Sequence, residues 1–111
     1  MVFVIEIDVI FIETPVFTAD LLCLFSDEEY AEFQTYLVNN PLAGDVIQQT
    51  GGLRKIRWSA GGKGKRGGVR IIYYYVVAAT QIRLLLIYKK GTQDNLTSDQ
   101  KKVLHQLNKR W

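Results

Sequence analysis

The sequence predicts a small α+β domain, in which one antiparallel β-sheet carries N-terminal helices packed on one face and a C-terminal helix completes the chain. Two observations predict it. Helix-start signatures stand at Thr14-Pro15, at Ser26 and at Thr97, and three segments rich in β-branched and aromatic residues lie together between residues 53 and 88. Runs of strands flanked by helices pack as layers, here with the helices on one sheet face and the other face free to meet a partner. A chain of 111 residues supports one modest core, burying roughly 60–65% of the surface it exposes when unfolded. No internal repeat or linker divides it, so residues 1–111 read as a single domain.

Residues 2–12 carry dense Val, Ile and Phe, as a strand buried on at least one face requires. Thr14 is a helix N-cap and Pro15 occupies the first helical position, where its missing N–H costs nothing. A short helix through Leu24 is expected. Ser26 and Glu29 have the spacing of a capping box, and Phe25 and Tyr30 stand at the hydrophobic-staple positions, so a second helix begins at Asp27. Its core face is Tyr30, Phe33 and Leu37, and Asn39-Asn40-Pro41 ends it. After a glycine-containing loop, residues 53–58 alternate, with Leu53, Lys55 and Arg57 on one face and Arg54, Ile56 and Trp58 on the other. Val69–Val77 and Ile82–Tyr88 complete an antiparallel meander. The last helix starts near Thr97, with Gln100 completing a second capping box. Its expected apolar stripe is Val103, Leu104, Leu107 and Trp111.

Hydrophobic residues make up 48% and charged residues 23% of the chain, an ordinary globular mixture. The net charge of +3 conceals a segregation. Residues 1–50 hold nine carboxylates and no Lys or Arg, whereas residues 51–111 hold all fourteen basic residues against Asp94 and Asp99 alone, giving −9 and +12. Such a split points to a polyanion-facing surface on the second part, with nucleic acid the commonest partner; two faces that neutralise each other, or an acidic protein partner, are the other readings. The single Cys23 cannot form an internal disulfide, and no Cys/His set has zinc-ligand spacing, which suits a reducing cytosol. Glu6 and Asp8 interrupt the apolar start and no basic segment precedes it, so a strand is expected there rather than a signal peptide. No stretch approaches the ~20 apolar residues of a membrane-spanning helix.

The segment Arg54 to Arg70 is the most informative, with seven basic residues, interleaved glycines and no acid. Glycines let a backbone approach phosphates while Lys and Arg neutralise them, so the hairpin Gly61-Gly62-Lys63-Gly64-Lys65-Arg66-Gly67-Gly68 is suited to a phosphodiester chain; a simple flexible connection is the alternative. Gly62, Gly64 and Gly67 satisfy G-x-G-x-x-G but join two strands, whereas a dinucleotide fingerprint opens a helix. A P-loop is excluded because Arg66 stands where Ser or Thr is required. Lone His105 reads as structural, and Cys23, in an apolar run with no basic neighbour, as an inert core thiol. The carboxylates cluster away from the basic strands, unlike a two-metal nuclease site. RNA cleavage by Lys and Arg needs no metal or other cofactor, because the ribose 2′-hydroxyl is itself a nucleophile once held in line with the phosphate. A Lys crowded by other cations would serve as the base.

The stretches Gly51-Gly52-Leu53-Arg54-Lys55-Ile56-Arg57 and Gly64-Lys65-Arg66-Gly67-Gly68-Val69-Arg70-Ile71-Ile72-Tyr73-Tyr74 strongly resemble the HigB branch of the RelE-like toxins. The resemblance extends to Ile12-Glu13-Thr14-Pro15-Val16-Phe17, Ser26-Asp27-Glu28-Glu29-Tyr30, Asn40-Pro41 and Gly44-Asp45, while residues 1–8 look like an added start. It implies a RelE-like fold and a ribosome-dependent endoribonuclease of the bacterial cytoplasm. Such an enzyme cuts mRNA in the decoding site and is held inactive by a HigA-like helix-turn-helix antitoxin encoded beside it. Residue by residue, it implies catalytic roles for Lys55, Arg57, Arg70 and Lys90. Arg54, Lys63, Lys65, Arg66, Lys89 and Tyr74 are the further expected contacts to RNA and ribosome. Where the RelE branch carries a Tyr after the last strand, this chain has Leu96, which leaves the general base open among Lys, Tyr88 and Tyr73 to Tyr75. A non-catalytic nucleic-acid-binding module, gripping phosphates with the same cations and stacking bases on tyrosines, is the alternative.

Overall fold

Thr14 starts the first helix as its sequence predicts: in the computed structural model its hydroxyl accepts the Phe17 N–H at 3.1 Å and donates to the Leu85 carbonyl at 2.7 Å. One side chain thereby caps a helix and ties it to the sheet. The structure describes residues 9–59, 68–93 and 95–111. Strand β1 (Ile10–Glu13) leads into α1 (Pro15–Leu24) and α2 (Asp27–Asn39); β2 (Asp45–Val46), β3 (Arg54–Ser59), β4 (Gly68–Val76) and β5 (Gln81–Lys89) follow, and α3 (Ser98–Lys109) ends the order. Both expected capping boxes are present, Ser26 with Glu29 and Thr97 with Gln100. The Phe25 and Tyr30 rings of the staple lie 6.5 Å apart.

The five strands form one sheet in the order β1-β5-β4-β3-β2. The meander β3–β5 is antiparallel as expected, the two-residue β2 extends it antiparallel where a loop was expected, and β1 runs parallel to β5, so the sheet is mixed. Parallel neighbours require a long crossover, and here the partner of β1 lies about 70 residues downstream, beyond any local sequence signal. Of the expected strand at 2–12, only its end coincides with β1, and residues 1–8 lie outside the described residues.

Directly opposed residues share a sheet face, and the register separates two. Ile56, Val69, Ile71, Tyr73, Ile82, Leu84 and Ile87 form one buried cluster with Phe17 and Leu21 of α1 and Phe33 and Leu37 of α2. On the second face Leu53, Ile72 and Leu85 pack with Leu96 and with Leu104 of α3. The expected free second face is corrected: α1 and α2 share one face, but α3 packs on the other through Leu104. An irregularity in β5 makes the second cluster possible: Ile72 opposes Leu86 and Tyr73 opposes Leu84. Leu85 is the extra residue, so Leu85 and Leu86 both join the cluster beneath α3.

The expected stripe on α3 is corrected. Leu104 is buried, but Val103 is 65% exposed and Leu107 and Trp111 are also exposed. Asn108 is buried instead, its carbonyl and amide oxygens each accepting from Arg83 at 3.1 Å. A buried Asn is tolerated because an arginine from β5 satisfies it, and that partner is remote in sequence. Cys23 is also corrected: it is a free, exposed thiol, because the inward positions of α1 are Phe17 and Leu21.

Buried polar atoms tie the loops down. The Tyr73 hydroxyl accepts the Gly44 N–H at 2.9 Å and donates to the Pro41 carbonyl at 2.8 Å. Gly51, at φ +72°, packs so tightly on the His105 ring that a Cβ there would meet Nε2 at 2.7 Å. His105 is thus a packing residue of the 49–52 turn, in keeping with its structural reading. Tyr73→Phe should destabilise the protein by about 1–3 kcal/mol, because it orphans buried loop groups, and a urea titration reads this directly. Burial, and then the hydrogen bond to Glu13 and its charge, push the Tyr30 phenol well above the ordinary tyrosine pKa. A pKa raised by folding gives stability that is complete below the unfolded value near ~10 and is lost as pH rises above it. Tyr30→Phe should therefore reduce the fall in urea midpoint between roughly pH 8 and 11.

Candidate nucleic-acid interface

Helix α3 packs on the second sheet face through Leu104, over Leu53, Ile72 and Leu85. Arg83 holds the C-terminal end of that helix, away from the cationic residues below, with its guanidinium carbon 5.9 Å from the Tyr74 ring centre and 5.4 Å from that of Trp111 and its donors on Asn108 and Gln81. Toward the start of β4 the same face is cationic. Lys55 and Arg57 are two residues apart on β3 and point the same way; Arg57 pairs directly with Arg70 on β4, and Arg70 with Tyr88 on β5. Lys90 follows, its N–H bonded to the Gly68 carbonyl at 2.9 Å, which places it beside the start of β4.

Two grooves meet on this surface. One is lined by Arg57, Trp58, Ser59, Gly68, Arg70 and Lys90. The other is lined by Lys55 and Arg57 with Asp45, Val46, Ile47, Gln48, Asn95, Leu96 and Lys101. Arg57 belongs to both. The four residues for which the family resemblance implies catalytic roles therefore lie on one surface. Sequence reasoning missed Lys101. It sits in the first turn of α3, and only the packing of that helix brings it to the groove.

The further expected contacts are distributed differently. Arg54 lies opposite Tyr73 on the α1–α2 face and donates to the Leu42 and Gly44 carbonyls at 3.2 and 2.7 Å, so it is bound into a loop. Lys89 opposes Val69 and also belongs to that face, though its side chain is exposed. Tyr74 is half-buried in the cluster beneath α3 with Arg83 beside its ring. Lys63, Lys65, Arg66 and most of the glycine-rich hairpin lie outside the described residues. Leu96, where the RelE branch has a tyrosine, is buried against Leu53, Ile72, Leu85 and Leu104.

Electrostatically the surface is under self-repulsion. Like charges directly opposed across strands destabilise a sheet, and Arg57 faces Arg70. A bound polyanion relieves this, since each phosphate neutralises cations that otherwise repel. Burial raises the pKa of the Tyr88 phenol, and the nearby Arg70 charge opposes this only in part. Among the described residues no three His, Cys, Asp or Glu side chains gather as metal ligands, and no helix is long and apolar enough to cross a membrane.

No protein-family model matches the chain. Geometry and charge therefore carry the functional reading. Arg57→Thr should raise the urea midpoint by an amount equivalent to about 0.5 kcal/mol at low salt, through relief of the Arg57–Arg70 repulsion, and the gain should shrink in about 1 M salt.

Proposed function

We propose that this chain is a metal-independent, ribosome-dependent mRNA endoribonuclease of the RelE/HigB kind, the toxin of a type II toxin–antitoxin pair, acting in the bacterial cytoplasm. The observation that supports it most is the convergence of Lys55, Arg57, Arg70 and Lys90 on one surface. A row of cations beside the part of the face on which α3 packs is an arrangement a strand of RNA can follow.

In the proposed reaction the 2′-hydroxyl attacks the adjacent phosphorus in line, its proton passing to a base. The bond from phosphorus to the 5′ oxygen breaks, and that oxygen takes up a proton. Negative charge grows on the non-bridging oxygens, and preorganised cations stabilise such charge where it develops. Arg70 sits between Arg57 and Tyr88 in the row, so it is assigned the scissile phosphate, clamped through its planar donor fork. Lys55, Arg57 and Lys90 supply further charge and proton transfer. The leaving 5′ oxygen is the step a Lys ammonium serves best, because it carries a transferable proton and a guanidinium does not. A HigA-like helix-turn-helix antitoxin is the proposed inhibitory partner.

Primer extension on mRNA from cells induced for the wild type should show new codon-phased 5′ ends, and Arg70→Ala should abolish both these ends and the growth arrest while the purified variant stays folded. Intact transcripts in arrested cells would replace the reading with a phosphate-gripping binding module. Full toxicity of Arg70→Ala would remove the site assignment.

A further inference from the structure

Among the described residues, buried hydroxyls are bonded, with one exception. Tyr73 is held by Gly44 and Pro41, Tyr30 by Glu13, and Thr14 by the Leu85 carbonyl. Among the described residues the Tyr88 hydroxyl oxygen is the one buried side-chain polar atom with no hydrogen-bond partner. An unsatisfied buried hydroxyl costs stability, and such a group in a native structure calls for a reason. Its place in the sheet supplies one: Tyr88 stands directly opposite Arg70, in the same cross-strand row as Arg57.

We propose that Tyr88 is a substrate-contacting residue, whose hydroxyl donates a hydrogen bond to a non-bridging oxygen of the phosphate that Arg70 grips. This rests on the RNA-cleaving reading above and adds a neutral donor to its cations. Arg70 donates to the Val69 carbonyl at 3.3 Å, a long bond to its own strand that a phosphate readily replaces. When the guanidinium turns outward to the phosphate, the hydroxyl beside it comes within reach of the same anion. The orphan donor is then satisfied in the complex rather than in the free protein.

The protonation state fits a donor and not a base. Burial favours the neutral phenol, and the Arg70 charge opposes it less strongly, so the proton stays on the oxygen at neutral pH. The hydroxyl therefore acts by hydrogen bonding to developing charge, and proton abstraction from the ribose falls to another group.

The test compares wild type with Tyr88→Phe, which removes one oxygen and keeps the ring. Cleavage of mRNA on programmed ribosomes under single-turnover conditions should slow about tenfold to a hundredfold, in the range seen when one donor to a developing oxyanion is lost. The melting temperature of the free variant should equal or exceed that of the wild type, because the unsatisfied group is gone. Wild-type cleavage with an equally fast Tyr88→Phe variant overturns the inference and leaves the RNA-cleaving reading intact. A lower melting temperature for the variant also overturns it, since the hydroxyl would then be bonded in the free protein. Failure of the wild type to cleave overturns both.

Discussion

Strand β4 pairs on both sides, and its register against β3 and β5 is the constraint from which the cationic surface follows. With Arg57 opposite Arg70 and Arg70 opposite Tyr88, three polar side chains are carried to one face while Ile56, Ile71 and Ile87 of the intervening row go to the other. A slip of one residue would bury the arginines among the α1–α2 core and expose that core to water. The apolar residues beneath α1 and α2 therefore hold the arginines in place without touching them. Each fully buried Leu or Ile contributes about 1.5–3 kcal/mol, far more than mutual repulsion of a few surface cations removes.

The second face is shared between α3 and the cations. The extra residue Leu85 turns two successive leucines of β5 toward that helix, giving it an apolar footing where strict alternation would supply one. Arg83 then closes the edge of the footing by bonding Asn108 and lying near Tyr74 and Trp111. At the opposite end of the footing, toward the start of β4, the same face carries Arg57, Arg70 and Tyr88. A candidate functional surface and a core share one face of one sheet, with Arg83 bonded into the packing of α3 while Arg57 and Arg70 line a groove.

Two features of the cationic surface oppose stability in the free protein: like charges stand opposite each other, and a phenol hydroxyl lies buried without a partner. Sequences tolerate such local conflicts mainly where function requires them. Both conflicts have the same relief, a bound phosphate, which accepts hydrogen bonds and cancels positive charge together. The proposed RNA-cleaving role and the proposed phenol contact thus draw on a single electrostatic logic.

Much of this was legible in the chain. Helix starts were readable because capping is local: Thr14, Ser26 and Thr97 each bond a backbone group three residues on. The facing of Lys55 and Arg57 followed from the two-residue period of a strand. Strand β1 beside β5, the Leu85 irregularity and the α3 position were not legible, since each depends on partners outside its own segment. The same reason hid the burial of Asn108, the loop-binding role of Arg54 and the arrival of Lys101 at the groove. Composition and local pattern by themselves determined the element types, the charge segregation and the candidate cations. Only tertiary packing decided which cations share a surface and which are spent on loops, because a side chain's surroundings are set by strand register and helix docking, and neither is encoded within one short segment.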